Sequence, residues 1–221
     1  MEAVLSSTSL IRTLAVGAAG SYLVAGMSHF LMPSDQLHFA KGLSARFFAS
    51  LMTTSFWFRV HYWSFVTASL CGMAFVFILS HHLNLTSLAA RLVTYLAMAG
   101  FVITAIDFAM MQAKALQLAR VFHTFLPEVQ QSTIATGLPR LDQTGLFGFG
   151  FVGLWLVVAN LIMLQTGNYP TGLIILGFLG AGLFELGFVG SLLHVATFID
   201  FAVGLGGILV GPLWYVWIAF A

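Results

Sequence analysis

Charge is what this chain has least of. Asp, Glu, Lys and Arg together make up 7% of its 221 residues, where a soluble domain carries about 25%. A chain so poor in charge is not built to face water on every side, and it reads as a membrane protein. The net charge of +1, with no run of basic residues, argues against nucleic acid as a partner. Cys71 is the one cysteine, which excludes an intrachain disulfide and a thiolate metal cluster. Period-two alternation is missing, so a transmembrane barrel finds no support. The last apolar run has no lysine for a retinal Schiff base. No regular arginine ladder exists for a voltage sensor.

What is present is apolar sequence, 60% of the residues. A bilayer-spanning helix needs about 20 mostly apolar residues. Runs of that length fall at 10–32, 61–82, 88–112, 143–165, 171–193 and 197–220. The first is expected to stay as an anchor, because Glu2 precedes Arg12 and no small-residue cleavage site follows. The last two runs need a tight hairpin near His194. The expected fold is all-α: one polytopic transmembrane bundle of about six helices over residues 1–221, with two amphipathic surface segments.

Those segments are the long connections 33–60 and 113–142. Both place apolar residues at helical spacing, Leu43, Phe47 and Leu51 in one, Leu118, Phe122 and Phe125 in the other. Two readings stand: helices lying on the membrane surface, or helical extensions into water. Lys41, Arg46, Arg59, Lys114, Arg120 and Arg140 fall in these connections, against Arg12 and Arg91 on the other side. The positive-inside rule then puts both long loops in the cytoplasm.

Small residues mark the helix faces that pack on other helices in lipid. Ala15, Ala18, Ala19, Tyr22, Gly26 and His29 form one such stripe. His61, Ser64, Ala68 and Gly72 form another, and Gly100, Thr104, Asp107, Met111 and Lys114 a third. Asp200, Gly204, Gly207, Gly211 and Trp214 form a fourth, with Gly207 and Gly211 as a GxxxG. The "GFGFVG" at 148–153 matches a dinucleotide fingerprint in letters only. It lacks the preceding strand and the later acid, and reads as packing glycines. Trp214, Tyr215 and Trp217, and likewise Trp57, Phe58, Tyr62 and Trp63, read as interfacial aromatic belts.

With alternating crossings, His29, His61, Asp107, Asp142, His194 and Asp200 all fall toward one membrane face. Glu185 lies about 8 residues deeper, roughly 12 Å at 1.5 Å per residue. Intramembrane ionisable residues face the bundle interior or a wet cavity. A polar cup is therefore expected there, lined by His29, His61, Asp107, Glu185 and Asp200 as ligand-binding or proton-relay groups. Nine residues separate Glu185 from His194, which puts them on opposite faces of a straight helix. His29, His61 and His194 are ligand types for a metal, and His29 with His61 for a haem. Their spacing matches no HxxxH or HExxH pattern.

The close of the chain, "NYPTGLIILGFLGAGLFELGFVG" followed by "GGILVGPLWYVWIAF", resembles six-helix integral membrane proteins of bacteria that have no assigned function. The resemblance covers the last quarter. It implies the six-helix fold and a bacterial inner membrane, and it carries over no functional residue.

The expected function is binding of a hydrophobic or amphiphilic small molecule in the cup. The rival classes are an accessory or assembly subunit of a membrane complex, a b-type haem protein, and an intramembrane enzyme with Glu185 as acid or base. The expected partners are the lipid bilayer, a hydrophobic small molecule or other membrane subunits. The sidedness is open to direct test. In a Cys71→Ser background, cysteine placed at Ser44 or Ser132 should react with a membrane-impermeant maleimide only after the cells are opened. Labelling of either position in intact cells would invert the topology.

Overall fold

The computed structural model describes residues 7–37 and 43–221. His38 and Lys41 therefore lie outside the described residues. The helices are α1 (Ser7–Leu31), α2 (Ala45–Thr53), α3 (Phe56–His82), α4 (Leu88–Val121), α5 (Pro127–Thr136), α6 (Leu146–Thr166), α7 (Thr171–Leu192) and α8 (Ala196–Phe220). Six of them, α1, α3, α4, α6, α7 and α8, are long and apolar enough to cross a membrane.

The helix ends follow local chemistry. Ser44 caps α2 by accepting from the Phe47 N–H at 3.1 Å, and Ser87 caps α4 by accepting from the Ala90 N–H at 3.2 Å. Pro127 opens α5, where a missing N–H costs nothing. Gly167 closes α6 at φ +66°, the left-handed turn that glycine adopts without strain. The hairpin between α7 and α8 turns on His194 at φ +55°, a region that histidine enters more readily than most side chains. Helix α7 is unbroken from Thr171 to Leu192, so Glu185 is inside it and His194 beyond its end.

The six spans close into a ring in chain order. Each packs on the next, α1 on α3, α3 on α4, α4 on α6, α6 on α7 and α7 on α8, and α8 returns to α1. Small residues permit the close approaches. A Cβ on Gly72 would stand 2.7 Å from the Phe101 ring, and one on Gly26 would stand 3.0 Å from Ile208. The "GFGFVG" glycines pack as expected: Gly150 faces Phe188, and Gly153 faces Phe184 and Glu185.

Aromatic rings fill the centre. Phe75 lies 5.7 Å from Trp214 and 5.0 Å from Tyr215, and Tyr22 stacks on Tyr215 at 6.3 Å. Trp155 of α6 reaches across the ring, and its Nε1–H donates to Ser80 Oγ of α3 at 2.8 Å. The Ser80 hydroxyl is itself 3.1 Å from Thr94 Oγ1 of α4. One tryptophan thus ties three helices through groups that lipid could not satisfy.

Two expectations are corrected. Trp214 and Tyr215 are core residues, 2% and 7% exposed, and Phe58 and Tyr62 are buried as well. Only Trp57, Trp63 and Trp217 are left to face the interface. These rings point inward, where their area packs against other rings. The expected Gly207–Gly211 seam is also absent. A Cβ on Gly207 would meet nothing within 4 Å, whereas Gly206 packs on Leu183. The reason is a π-helical stretch, Ala202–Val210, inside α8. Its i→i+5 bonding turns the face away from the α-helical register.

The long connections divide between the two readings. α2 buries Phe47, Phe48 and Leu51 against α4, with Phe48 stacked on Phe122 at 4.3 Å. Residues 113–121 continue α4, a helix of 34 residues and so about 50 Å long. The hydrocarbon core spans about 30 Å, so α4 overruns it. Its far end, with α2 and the start of α3, builds a second apolar core around Phe58, Tyr62, Met111 and Phe122.

The tightest backbone approach is at Gly100, where an added Cβ would run into the Phe147 carbonyl. Gly100→Ala should cost about 1–3 kcal/mol and lower the melting temperature in detergent. Gly20→Ala, with nothing within 4 Å of the new Cβ, should melt at or above the parent. Equal melting of both variants would contradict this helix crossing.

Candidate functional site

The site begins with a backbone carbonyl. Ala25 O on α1 accepts His61 Nδ1–H from α3 at 2.9 Å and the Ser28 hydroxyl at 2.8 Å. A carbonyl only accepts, so Nδ1 carries the proton and Nε2 keeps its lone pair. His61 is buried at 6% exposure. Phe65 stands edge-on to it at 5.0 Å and stacks on Phe108 at 4.5 Å. The half-buried His29 ring lies 5.6 Å from His61, tilted by 42°. Asp200 is exposed at the start of α8. The structure therefore brings His29 and His61 together from α1 and α3, and Asp200 of α8 lies at the same end of the bundle.

Asp107 is placed differently. It is 4% exposed on α4, and its carboxylate accepts the Leu141 N–H at 2.6 Å and the Asp142 N–H at 3.2 Å. Asp142 in turn accepts the Gly148 N–H at 2.8 Å. The two acids run in series from α4 to the π-helical first turn of α6, Leu146–Phe151. Asp107 satisfies two loop N–H groups, and Asp142 one that the start of α6 leaves open. Asp142 was absent from the expected lining, although an acid a few residues before a helix is a recognised cap signal.

Glu185 stands one helix round from α8. Its side chain is half-buried on α7 and fills the notch at Gly153 of α6, where a Cβ would come within 2.7 Å of Oε1. His194 is exposed at the α7–α8 turn, and Lys114 is exposed on α4. Among the described residues, no group of three or more His, Cys, Asp or Glu is arranged to hold a metal ion. Nothing in the sequence marked Ala25 or Ser28 as partners of His61, because a backbone carbonyl carries no residue signature.

The arrangement offers hydrogen-bonding chemistry. His61 presents Nε2, His29 presents two ring nitrogens, and Asp200 and Glu185 present carboxylates. None of these groups has a hydrogen-bond partner among the described residues.

The Asp107 clamp is directly testable. Asp107→Ala leaves two loop N–H groups without their charged acceptor, a loss of about 1.5–3 kcal/mol for each such bond. Trypsin should then cut after Arg140 faster than in the parent, while Asp107→Asn should fall between them. An unchanged cleavage rate in Asp107→Ala would remove the clamp from the account. No protein-family model, curated protein or solved structure matches the chain.

Proposed function

We propose that the chain is a bacterial inner-membrane protein that binds a small amphiphile at the His29–His61–Asp200 end of the bundle. Both long basic loops face the cytoplasm in this reading. The head group sits against His29 and His61, and the apolar part lies among the helices toward Glu185. The observation that carries the reading is unspent hydrogen-bonding capacity. Polar groups at membrane depth are kept where they are paired, wetted or used. Here His29, His61 Nε2 and Glu185 are not paired within the described protein.

Binding needs the right donor and acceptor in place. His61 is held by Ala25, so its Nε2 is an oriented acceptor, and His29 can supply a donor or an acceptor beside it. Glu185, deeper in the bundle, serves as a second anchor or as a proton relay. A second reading, an accessory subunit of a membrane complex, draws on the packed centre. The cavity between Phe101, Trp155 and Trp214 measures about 20 Å³, far below the several hundred Å³ of a ligand site.

Organic extraction and mass spectrometry of the purified protein separate the two. The parent should carry one amphiphile in stoichiometric amount. His61→Asn keeps a donor for Ala25 O but lacks Nε2, so it should melt near the parent and lose most of that ligand. Glu185→Leu should likewise fold and bind less. A parent that carries bulk lipid alone and co-purifies with other subunits would favour the accessory role and end the binding proposal.

A further inference from the structure

Arg12 stands at the other end of the bundle, where α1 begins and α3 and α8 end. A groove of about 460 Å³ opens there, and its lining includes Arg12, His82, Asn84, Asn168, Tyr169 and Phe220. That volume is in the range of small-molecule sites. The guanidinium is held in place twice. Its Nε–H donates to Ala219 O at 3.0 Å, and the group lies 5.2 Å over the Phe220 ring. Those contacts use Nε and one face. Among the described residues the two terminal amino groups have no partner, and no Asp or Glu side chain lines the groove.

Below the groove, Leu213, Val216 and Phe220 are exposed at spacings of three and four, one face of α8. This is an apolar track that ends at a fixed cation. A guanidinium fork matches a phosphate or a carboxylate through two parallel N–H bonds, and the anion that a bilayer presents at its surface is the phosphate of a lipid head group. We infer that this groove binds a phospholipid, its phosphate on Arg12 and an acyl chain along Leu213, Val216 and Phe220. The Asn84 and Asn168 amides and the Tyr169 hydroxyl supply donors to the remaining oxygens. Burial holds the Tyr169 pKa above the ordinary tyrosine value, so the hydroxyl stays a donor. The site is independent of the His29–His61 end.

The test is native mass spectrometry of the protein in neutral detergent, titrated with phosphatidylglycerol and, separately, with inorganic phosphate. One lipid should bind saturably, and inorganic phosphate should neither bind nor compete at comparable concentration. Arg12→Gln should weaken lipid binding at least about tenfold. Arg12→Lys keeps the charge but loses the fork and should fall between. Tyr169→Phe should lose affinity severalfold with the guanidinium intact, so the proposal stays testable if Arg12→Gln fails to fold. Arg91→Gln removes an exposed cation from the same end and should leave binding unchanged. Equal loss in Arg91→Gln would reduce the effect to surface charge. Equal binding of free phosphate would remove the acyl track. Parent-like binding by both Arg12→Lys and Tyr169→Phe would overturn the site.

Discussion

Hydrocarbon offers no hydrogen-bonding partner, and the bundle is arranged around that constraint. The helices satisfy their own backbones. Side chains that cannot do so are joined across helices instead: Trp155 to Ser80 beside Thr94, His61 to Ala25, Gln112 to the Arg59 carbonyl. Each bond fixes one helix pair at a definite rotation. Glycine and alanine then let the pairs approach until aromatic rings fill the centre. A few buried atoms stay outside this scheme among the described residues, including Asn160 Oδ1, pressed against Gly177, and Trp214 Nε1. Such atoms are uncommon in folded proteins, and both belong to helices that flank α7, which carries Glu185.

Composition and run length were enough to read the membrane class, the six spans and the inward stripes of α1, α3 and, as far as Met111, α4; Lys114, expected on that stripe, is exposed. Those features rest on residue type repeated at helical period, which a sequence displays. The π-helical stretches were not legible. They change the bonding step from four residues to five without a characteristic residue, and the Gly204 and Gly207 face moved with them. The aromatic belts misled for a related reason. Tryptophan serves an interface and a core equally well, and only the rotation of α8 decides between Trp214 and Trp217. Likewise, the length of α4 was hidden because the exposed Lys114 and Arg120 interrupt the apolar run, while Met111, Ala115 and Ala119 stay buried.

The candidate site was legible to a similar depth. Alternating crossings were enough to put His29, His61 and Asp200 at one end. They could not show that Asp107, on the same stripe, is occupied by the backbone of residues 141 and 142. Its partners lie about 35 positions along the chain and are main-chain N–H groups. The structure thus separates two kinds of acid: Asp107 and Asp142 hold backbone N–H groups, whereas Glu185 and Asp200 make no hydrogen bond among the described residues.

The overrun of α4 has a mechanical consequence. One continuous helix carries both cores, the aromatic centre at Phe101 and the outer cluster at Met111, Ala115 and Ala119. A helix is stiff along its axis, so the distance between these layers is set by residue count and not by the lipid around it. A bilayer of different thickness cannot stretch the protein to fit. It must be met by tilt of the whole ring or by deformation of the lipid at its edge. Helix α4 acts as a ruler, and α2, docked on its outer end, rides at a constant height above the bundle centre whatever membrane surrounds it.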